Sequence, residues 1–154
     1  MIHISVLKQT LSLPEENLCF SVSTSMRGEG QRENSWQTPL GRHQIVQVIG
    51  LDAPIYTRFR SRQPIGIASP DSWQALDDED MILSRIIRLT GLEDGFNRGD
   101  GVDSFNRYIY IHGTHQEQLI GKKASKGCIR MRNADIITLC KYPLEGLAVN
   151  ITEN

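Results

Sequence analysis

The strongest structural constraint in the sequence is a strict alternation of side chains over residues 107–112. In an extended strand, Tyr108, Tyr110 and His112 fall on one face, and the two isoleucines between them fall on the other. This period of two predicts a β-strand that delivers His112 to its end. A histidine at that position is held by a rigid element, as a catalytic base needs to be.

Other parts of the chain consist of short apolar runs separated by predicted turns, which is also typical of β-strands. Runs rich in β-branched and apolar residues cover residues 2–7, 18–23, 43–49 and 146–151. Residues 14–17 predict a turn that joins the first two runs into a hairpin. Before the third run, Pro39 fixes φ and Gly41 permits unusual φ, so residues 38–41 predict a shaped turn. The chain is therefore predicted to be mainly β.

Two segments predict helices. In the first, apolar residues recur at helical spacing, at Met81, Ile82, Ile86 and Leu89. An acidic run over residues 77–80 would begin this helix, and Gly91 would cap its end. In the second, Asn133 is a candidate N-cap for a helix that continues through Cys140 and ends before Pro143.

Residues 57–73 and 92–103 lack a regular pattern. Irregular segments of this length in a compact domain are often binding loops or lids. A chain of 154 residues is long enough to bury a core without disulfides or a metal. We therefore predict a single domain over residues 1–154, mainly β with two helices, in which residues 51–106, approximately, form an inserted cap over the site.

Composition limits the partners and the compartment. The formal net charge of −1 gives no electrostatic reason to expect nucleic acid or an anionic membrane as a partner. No run approaches the roughly 20 apolar residues of a membrane span. The first residues lack the basic and apolar regions of a signal peptide, so a cytoplasmic location is expected. Three cysteines without C-x-x-C spacing predict reduced thiols rather than disulfides or a zinc knuckle.

Cys128 is the candidate nucleophile. Gly127, which precedes it, removes side-chain bulk beside the sulfur, so that a substrate carbonyl could approach. Lys126 and Arg130 are cations that would favour the thiolate, and His112 is the candidate base that would take the proton. Taken singly, the cysteine could equally be a small buried residue and the histidine a hydrogen-bonded core residue.

The remaining cysteines and histidines are weaker candidates. His115 suggests a zinc site with His112 and Cys128, but no fourth ligand lies at a usual spacing. We therefore predict no metal and no cofactor. Cys19 and Cys140 lie in apolar patterns and are predicted to be core residues, and an activated Cys128 would be alkylated faster than either.

The joint pattern of the chain resembles a known catalytic signature. Its parts are Thr38-Pro39-Leu40-Gly41, Ile111-His112-Gly113-Thr114, Ile120-Gly121, residues 124–131, Asn133 and Asp135. Together they closely resemble the signature of the L,D-transpeptidase catalytic domain family, over roughly residues 18–151. The resemblance implies a YkuD-like β-sandwich or barrel. In this fold the turn that carries Cys128 (the Cys turn) and the strand that ends at His112 (the His strand) meet in a cleft. Many members carry a histidine where this chain has Lys126.

The resemblance also implies a mechanism, acyl transfer through a thioester on a peptidoglycan stem peptide. The Cys128 thiolate would attack the carbonyl that joins the diamino acid to a terminal D-alanine, and His112 would act as base and then as acid. The Gly113 carbonyl would orient the imidazole. Backbone N–H groups around Gly127 and Cys128 would form the oxyanion hole.

Three more residues are candidates for contacts with the substrate. Arg130 is the candidate for the substrate carboxylate, because a guanidinium gives bidentate, permanently charged recognition. Its alternative role is a structural salt bridge, for instance to Asp135. Ser125 and Asn133 match motif positions and would hold the turn or touch the substrate.

Three functions remain open. Residues 82–113 resemble the cytoplasmic L,D-carboxypeptidase branch of the family, which implies hydrolysis of soluble tetrapeptides or muropeptides in peptidoglycan recycling, with release of D-alanine. The first alternative is an L,D-transpeptidase that forms cross-links or exchanges D-amino acids. The second is an inactive muropeptide-binding module, for which Lys126 is the only indication in the sequence.

Overall fold

The computed structural model describes residues 1–76 and 80–154 of the chain. These residues contain ten β-strands, one α-helix and three short 3-10 helices. The strands are β1 (Ile2–Ser5), β2 (Thr10–Leu13), β3 (Leu18–Ser23), β4 (Gly41–Ile49), β5 (Thr57–Arg60), β6 (Gln63–Ile67), β7 (Ile82–Gly91), β8 (Tyr110–Gly113), β9 (Ile129–Met131) and β10 (Ala148–Thr152). The α-helix is α1 (Asn133–Leu139), and the 3-10 helices cover Pro14–Glu16, Pro70–Leu76 and Glu117–Leu119.

The sheet closes on itself into a barrel. Eight strands follow one another in the order β4, β10, β1, β2, β3, β9, β8 and β7, and β7 pairs with β4 to complete the ring. The pairs β1–β10 and β8–β9 are parallel. The β5–β6 hairpin extends the sheet from the first residues of β7. Closure leaves few unpaired strand edges, and the mainly β, barrel-like prediction is confirmed.

The two faces of β8 and β9 have different surroundings. Ile111, Ile129 and Met131 belong to the main apolar cluster, which also receives Ile136 and Leu139 from α1. Because side chains alternate along a strand, the residues between them project to the opposite face. The packing of one face therefore fixes the strands that carry the candidate site on the other.

The N-terminal strands differ from the predicted hairpin. An additional strand, β2, lies between β1 and β3, and the three form an antiparallel meander. The predicted turn is real, but it joins β2 to β3 through the 3-10 helix Pro14–Glu16. Asn17 ends that turn with φ of 54°, a left-handed conformation that asparagine tolerates better than most residues.

The helix predicted before Gly91 is wrong, because Ile82–Gly91 is the strand β7. This strand pairs with β8 on one side and with β4 or β5 on the other, and most of its side chains are buried on both faces. A strand buried on both faces carries a near-continuous apolar run, which also fits a helical spacing. Of the acidic run expected to begin this helix, residues 77–79 lie outside the described residues.

The cap predicted over residues 51–106, approximately, is wrong for β5, β6 and β7, which are strands of the sheet. Residues 92–109 do form a loop, but it is fastened to β4. Asn97 Nδ2 donates hydrogen bonds to the carbonyl oxygens of Leu40 and Arg42, at 3.1 and 3.0 Å. His43 Nε2 lies 2.8 Å from Ser104 Oγ. This loop is therefore part of the barrel wall.

The helix predicted near residue 133 is confirmed as α1. Its cap position is Arg132 rather than Asn133, and the Arg132 side chain makes no capping hydrogen bond; Glu117 Oε2 instead accepts from the Asn133 N–H at 2.8 Å. Asn133 is instead the first residue of the helix, and its side chain is used elsewhere. No helix in residues 1–76 or 80–154 has the length and apolar character needed to cross a membrane.

Candidate active site

The parallel pairing of β8 with β9 brings the predicted histidine and cysteine to one face. The register places His112 opposite Arg130. Cys128 lies two positions before Arg130 and therefore next to Tyr110, whose N–H donates a hydrogen bond to Cys128 Sγ at 3.3 Å. Because alternate residues share a face, His112 and Cys128 are diagonal neighbours on the same side of the sheet.

The Cys128 thiol is neutral in this structure. Its Sγ donates a hydrogen bond to the Tyr108 carbonyl oxygen at 3.3 Å. Burial raises the pKa of the thiol to about 11, although the Tyr110 N–H and, to a smaller degree, Arg130 act to lower it. Arg130 favours the thiolate, as expected from the sequence, but desolvation outweighs this nearby positive charge, so the thiol keeps its proton in the free protein.

His112 is also neutral and has a defined tautomer. Its Nδ1 lies 2.7 Å from the Gly113 carbonyl oxygen, so the contact expected from the sequence is present. A carbonyl only accepts hydrogen bonds, so Nδ1 carries the proton and Nε2 carries the lone pair. Burial lowers the pKa of the imidazole, while Asp80 and the Gly113 carbonyl raise it to a smaller extent. A neutral imidazole with Nε2 unprotonated is the form that can accept the thiol proton.

The turn that carries Cys128 is held by two buried hydroxyl groups. Ser125 Oγ donates to the Cys128 carbonyl oxygen at 2.6 Å and accepts from the Gly127 N–H at 3.2 Å. Thr38 Oγ1 donates to the Gly127 carbonyl oxygen at 2.9 Å and accepts from the Ser25 N–H at 3.0 Å. Thr38 and Ser125 are fully buried. These bonds fix both peptide groups that flank Gly127.

One peptide group in this turn has a special orientation. The Gly127 carbonyl and the Cys128 N–H belong to the same planar, trans unit and point in opposite directions. By holding the carbonyl, Thr38 aims the N–H. The predicted oxyanion hole uses the N–H groups of Gly127 and Cys128. The Gly127 N–H is already bonded to Ser125 Oγ, whereas the Cys128 N–H has no hydrogen-bond partner among the described residues and can donate to an oxyanion.

Gly127 is required in this turn. Its φ of 131° is rarely adopted by residues with a side chain, and an added Cβ would lie 3.4 Å from the Gln37 carbonyl oxygen. That distance is an ordinary van der Waals contact, so the backbone conformation, and not a lack of space, favours glycine at this position.

Arg130 has a structural role in this state. It is almost fully buried, and its Nη2 forms an ion pair with Asp80 at 2.5 Å. Nη1 donates to Gln116 Oε1 at 2.9 Å. The alternative role as a salt bridge is therefore the one observed, with Asp80 in place of Asp135, which lies 4.0 Å from Arg132. A substrate carboxylate would have to displace Asp80 to reach this guanidinium.

Asn133 is also committed to contacts inside the protein. Its Oδ1 accepts from Ser84 Oγ at 2.6 Å, and its Nδ2 donates to the Thr114 carbonyl oxygen at 2.8 Å and to Glu117 Oε2 at 2.9 Å. The residue is fully buried. Asn133 therefore joins β7, the loop after β8 and α1, and, like Ser125, it holds the site rather than facing a substrate.

The other two thiols, Cys19 and Cys140, lie apart from this arrangement. Among the described residues, no group of three or more His, Cys, Asp or Glu side chains could hold a metal ion. Cys140 is buried as predicted, and burial raises the pKa of its thiol to about 12. The core prediction for Cys19 is wrong, because β3 alternates and Cys19 lies on its exposed face.

Sequence reasoning missed three contacts of the site. The Thr38 turn was recognised, but nothing in the sequence indicated that its hydroxyl bonds to Gly127. Asp80 was assigned to the start of a helix, although it pairs with Arg130 fifty positions later. The Tyr108 carbonyl that accepts the thiol hydrogen bond carries no side-chain signal at all.

A closed β-barrel in which the turn that carries Cys128 meets the strand that carries His112 defines a domain suited to cysteine-dependent acyl transfer. Residues 2–151 match the family model of the L,D-transpeptidase catalytic domain, YkuD. The chain belongs to this family.

Individual relatives agree over shorter stretches. YkuD of Bacillus licheniformis, described as a candidate L,D-transpeptidase, is 48% identical over 42 residues, which are 27% of this chain and 26% of the relative. YqjB of Bacillus subtilis strain 168, described in the same way, is 38% identical over 55 residues, which are 36% of this chain and 31% of the relative. The matched stretches thus cover less than a third of these relatives.

Solved structures agree over nearly the whole chain. L,D-transpeptidase 3 from Mycobacterium tuberculosis, in complex with a faropenem-derived adduct, has a TM-score of 0.56 at 15% identity, covering 99% of this chain and 59% of that one. An L,D-transpeptidase from Mycobacterium smegmatis has a TM-score of 0.53 at 15% identity, covering 98% of this chain and 57% of that one. At these identities the likeness shows the fold, and this chain spans somewhat more than half the length of those proteins.

Proposed function

We propose that this protein transfers the acyl group of a peptidoglycan stem peptide to water through a Cys128 thioester, which makes it an L,D-carboxypeptidase. The observation that carries the proposal is the turn in which Cys128 presents both its thiol and its N–H beside the His112 strand. A nucleophile, a neutral base and an oxyanion donor are the three groups that acyl transfer needs.

The first half of the reaction forms the thioester. Cys128 Sγ bonds to the carbonyl carbon of the diamino acid while His112 Nε2 takes the thiol proton. The developing oxyanion accepts a hydrogen bond from the Cys128 N–H. The C–N bond then breaks, and the imidazolium gives its proton to the leaving amine of D-alanine. Because both groups start neutral, proton transfer accompanies attack and no charge separation precedes it.

The second half of the reaction regenerates the thiol. His112 takes a proton from water as the water oxygen bonds to the thioester carbon. The C–S bond breaks, and the imidazolium returns a proton to Cys128. The products are a stem tripeptide and a neutral cysteine–histidine pair, ready for another cycle.

Water as the acceptor and a cytoplasmic location belong to the same proposal. Their support is the resemblance of residues 82–113 to the cytoplasmic carboxypeptidase branch of the family. The substrate would then be a soluble tetrapeptide or muropeptide. Separation of soluble and envelope fractions, with detection of the tagged chain, tests the location.

A transpeptidase is the second candidate, because the family and the curated relatives are named for that activity. It would use the same thioester and the same two residues. The difference lies in the acceptor, an amine in place of water.

Purified protein incubated with a tetrapeptide muropeptide, with and without an amine acceptor, separates the candidates by mass. We expect free D-alanine and a tripeptide product that gains one ¹⁸O from labelled water. The Cys128→Ala variant should lose turnover, and Cys19→Ala, which changes an exposed thiol, is the matched control. An amine-dependent dimer would favour the transpeptidase, and binding without a thioester would favour the inactive module.

A further inference from the structure

The surface beside the Cys turn contains a chain of pockets centred on Lys126. Three pockets, of about 320, 270 and 420 Å³, are each lined in part by this residue. The first shares Trp36 with the second and Met26 with the third, so the three are adjacent. Lys126 is exposed and lies two positions before Cys128. It therefore lies in the middle of an open groove, and the second pocket of this groove is also lined by Tyr108, whose carbonyl oxygen accepts the hydrogen bond from Cys128 Sγ.

The other cations around this groove are largely committed. Arg130 is paired with Asp80. Arg107 is half-buried and donates to the carbonyl oxygens of Gly30, Gln31 and Gln37. Both guanidiniums are therefore engaged in contacts within the protein and are not free to bind a ligand.

Two further cations reach only one pocket each. Lys123 lines the third pocket and lies 4.0 Å from Glu29. Arg27 lines only the first. Lys126 reaches all three pockets, and no carboxylate within residues 1–76 and 80–154 forms an ion pair with its ammonium.

We propose that Lys126 binds the C-terminal carboxylate of the acyl-donor peptide, the recognition role that the sequence had suggested for Arg130. The inference rests on the proposed function, since it names the group that recognises the leaving end of the substrate. That carboxylate belongs to the residue whose nitrogen leaves, so it lies within about one residue length, ~3.8 Å, of the bond to be cleaved. A lysine two positions before the nucleophile, on a long flexible stem, spans such a distance and supplies three donors to the two oxygens.

Paired substrates and variants test this role. Lys126→Met removes the charge and keeps the length of the side chain, Lys126→Arg keeps the charge, and Lys123→Met is the matched control on the neighbouring lysine. Each is assayed with a tetrapeptide that ends in a D-alanine carboxylate and with its carboxamide. Circular dichroism confirms that these exposed substitutions leave the fold intact.

For the carboxylate peptide, we expect Lys126→Met to raise KM roughly tenfold with little change in kcat, because a hydrogen bond to a charged group is lost. Lys126→Arg should recover most of this loss, and Lys123→Met should change KM less than about twofold. For the carboxamide, Lys126→Met should have no added effect. Equal effects on the two peptides, or none on either, would overturn the assignment.

Binding to an inactive protein separates this inference from the proposed reaction. In the Cys128→Ala background, calorimetric titration of both peptides, with and without the Lys126→Met substitution, measures carboxylate recognition in the absence of turnover. If the wild type does not turn over but the carboxylate preference persists and depends on Lys126, the reaction fails and the inference stands. If the wild type turns over but shows no preference for the carboxylate peptide, the role of Lys126 is wrong and the proposed reaction stands. If neither peptide binds, the role of Lys126 is also wrong.

Discussion

Replacement of Thr38 by valine tests how the Cys turn is held. The two side chains have nearly the same shape, so the change removes the hydroxyl and little else. In the protein that hydroxyl serves two buried backbone groups, the Ser25 N–H and the Gly127 carbonyl. Leaving a buried polar group without a partner costs about 1–3 kcal/mol, so Thr38→Val should lose about 2–6 kcal/mol of unfolding free energy.

Thr38→Val should also lower kcat, through the orientation of the Cys128 N–H, and the size of this effect has an upper limit. Loss of an oxyanion donor lowers kcat by about 10²–10³-fold. Thr38 is expected to orient the Cys128 N–H without touching the substrate. Thr38→Val should therefore lower kcat by at least about tenfold and by at most about 10²–10³-fold, the effect of losing the donor itself, with KM little changed. Thr38→Ser keeps the hydroxyl and should retain most of the activity.

The assay is D-alanine release at a temperature where circular dichroism shows both variants to be folded, with urea unfolding run in parallel. Equal kcat for the folded Thr38→Val and Thr38→Ser proteins would refute the argument that this hydroxyl aims the donor. A normal unfolding free energy for Thr38→Val would show that the two backbone groups find other partners.

Three other predictions follow from the charge states of buried groups. First, kcat/KM should fall on the acid side with a midpoint below pH 6.5, because burial lowers the pKa of His112 and the protonated imidazole cannot act as a base; a midpoint above 7 in a pH–rate profile would contradict a neutral resting pair. Second, iodoacetamide at pH 8 should modify the exposed Cys19 before Cys128, whose thiol pKa is raised to about 11, and mass mapping of a time course would show the reverse order if the thiolate is preformed. Third, burial lowers the pKa of His43 from 6.5 to about 4, so the unfolded chain binds a proton there at higher pH than the folded one. Its share of stability is therefore present above about pH 6.5 and is lost as the pH falls towards 4, by about 3 kcal/mol at ~1.4 kcal/mol per pH unit. Urea unfolding at pH 7.5 and 4.5 should show this loss, and His43→Gln should reduce it; an identical loss in the variant would exclude His43 as its source.

The part of the site that local pattern determines could be predicted from the sequence. Alternation over residues 107–112 defined the strand that ends at His112 and Gly113, and the glycine beside Cys128 indicated a tight turn. Parallel pairing of β8 with β9 then brings the two together. These features depend on neighbouring residues, which a single sequence displays directly.

The part that long-range packing determines could not be predicted. The strand β7 was interpreted as a helix because its burial on both faces comes from partners elsewhere in the chain. Arg130 was assigned to the substrate because its ion pair with Asp80 joins distant positions. Likewise, the raised pKa of Cys128 reflects burial, which the cations visible beside it in the sequence do not disclose.

The Cys128 thioester is tested most directly by the intact mass of the protein after brief mixing with a tetrapeptide muropeptide and acid quench. If Cys128 forms a thioester, we expect a transient adduct with the mass of the acyl group left after D-alanine departs, mapped to the peptide that contains Cys128 and absent from Cys128→Ala. D-Alanine release that continues in Cys128→Ala, with no adduct at any time, would contradict it.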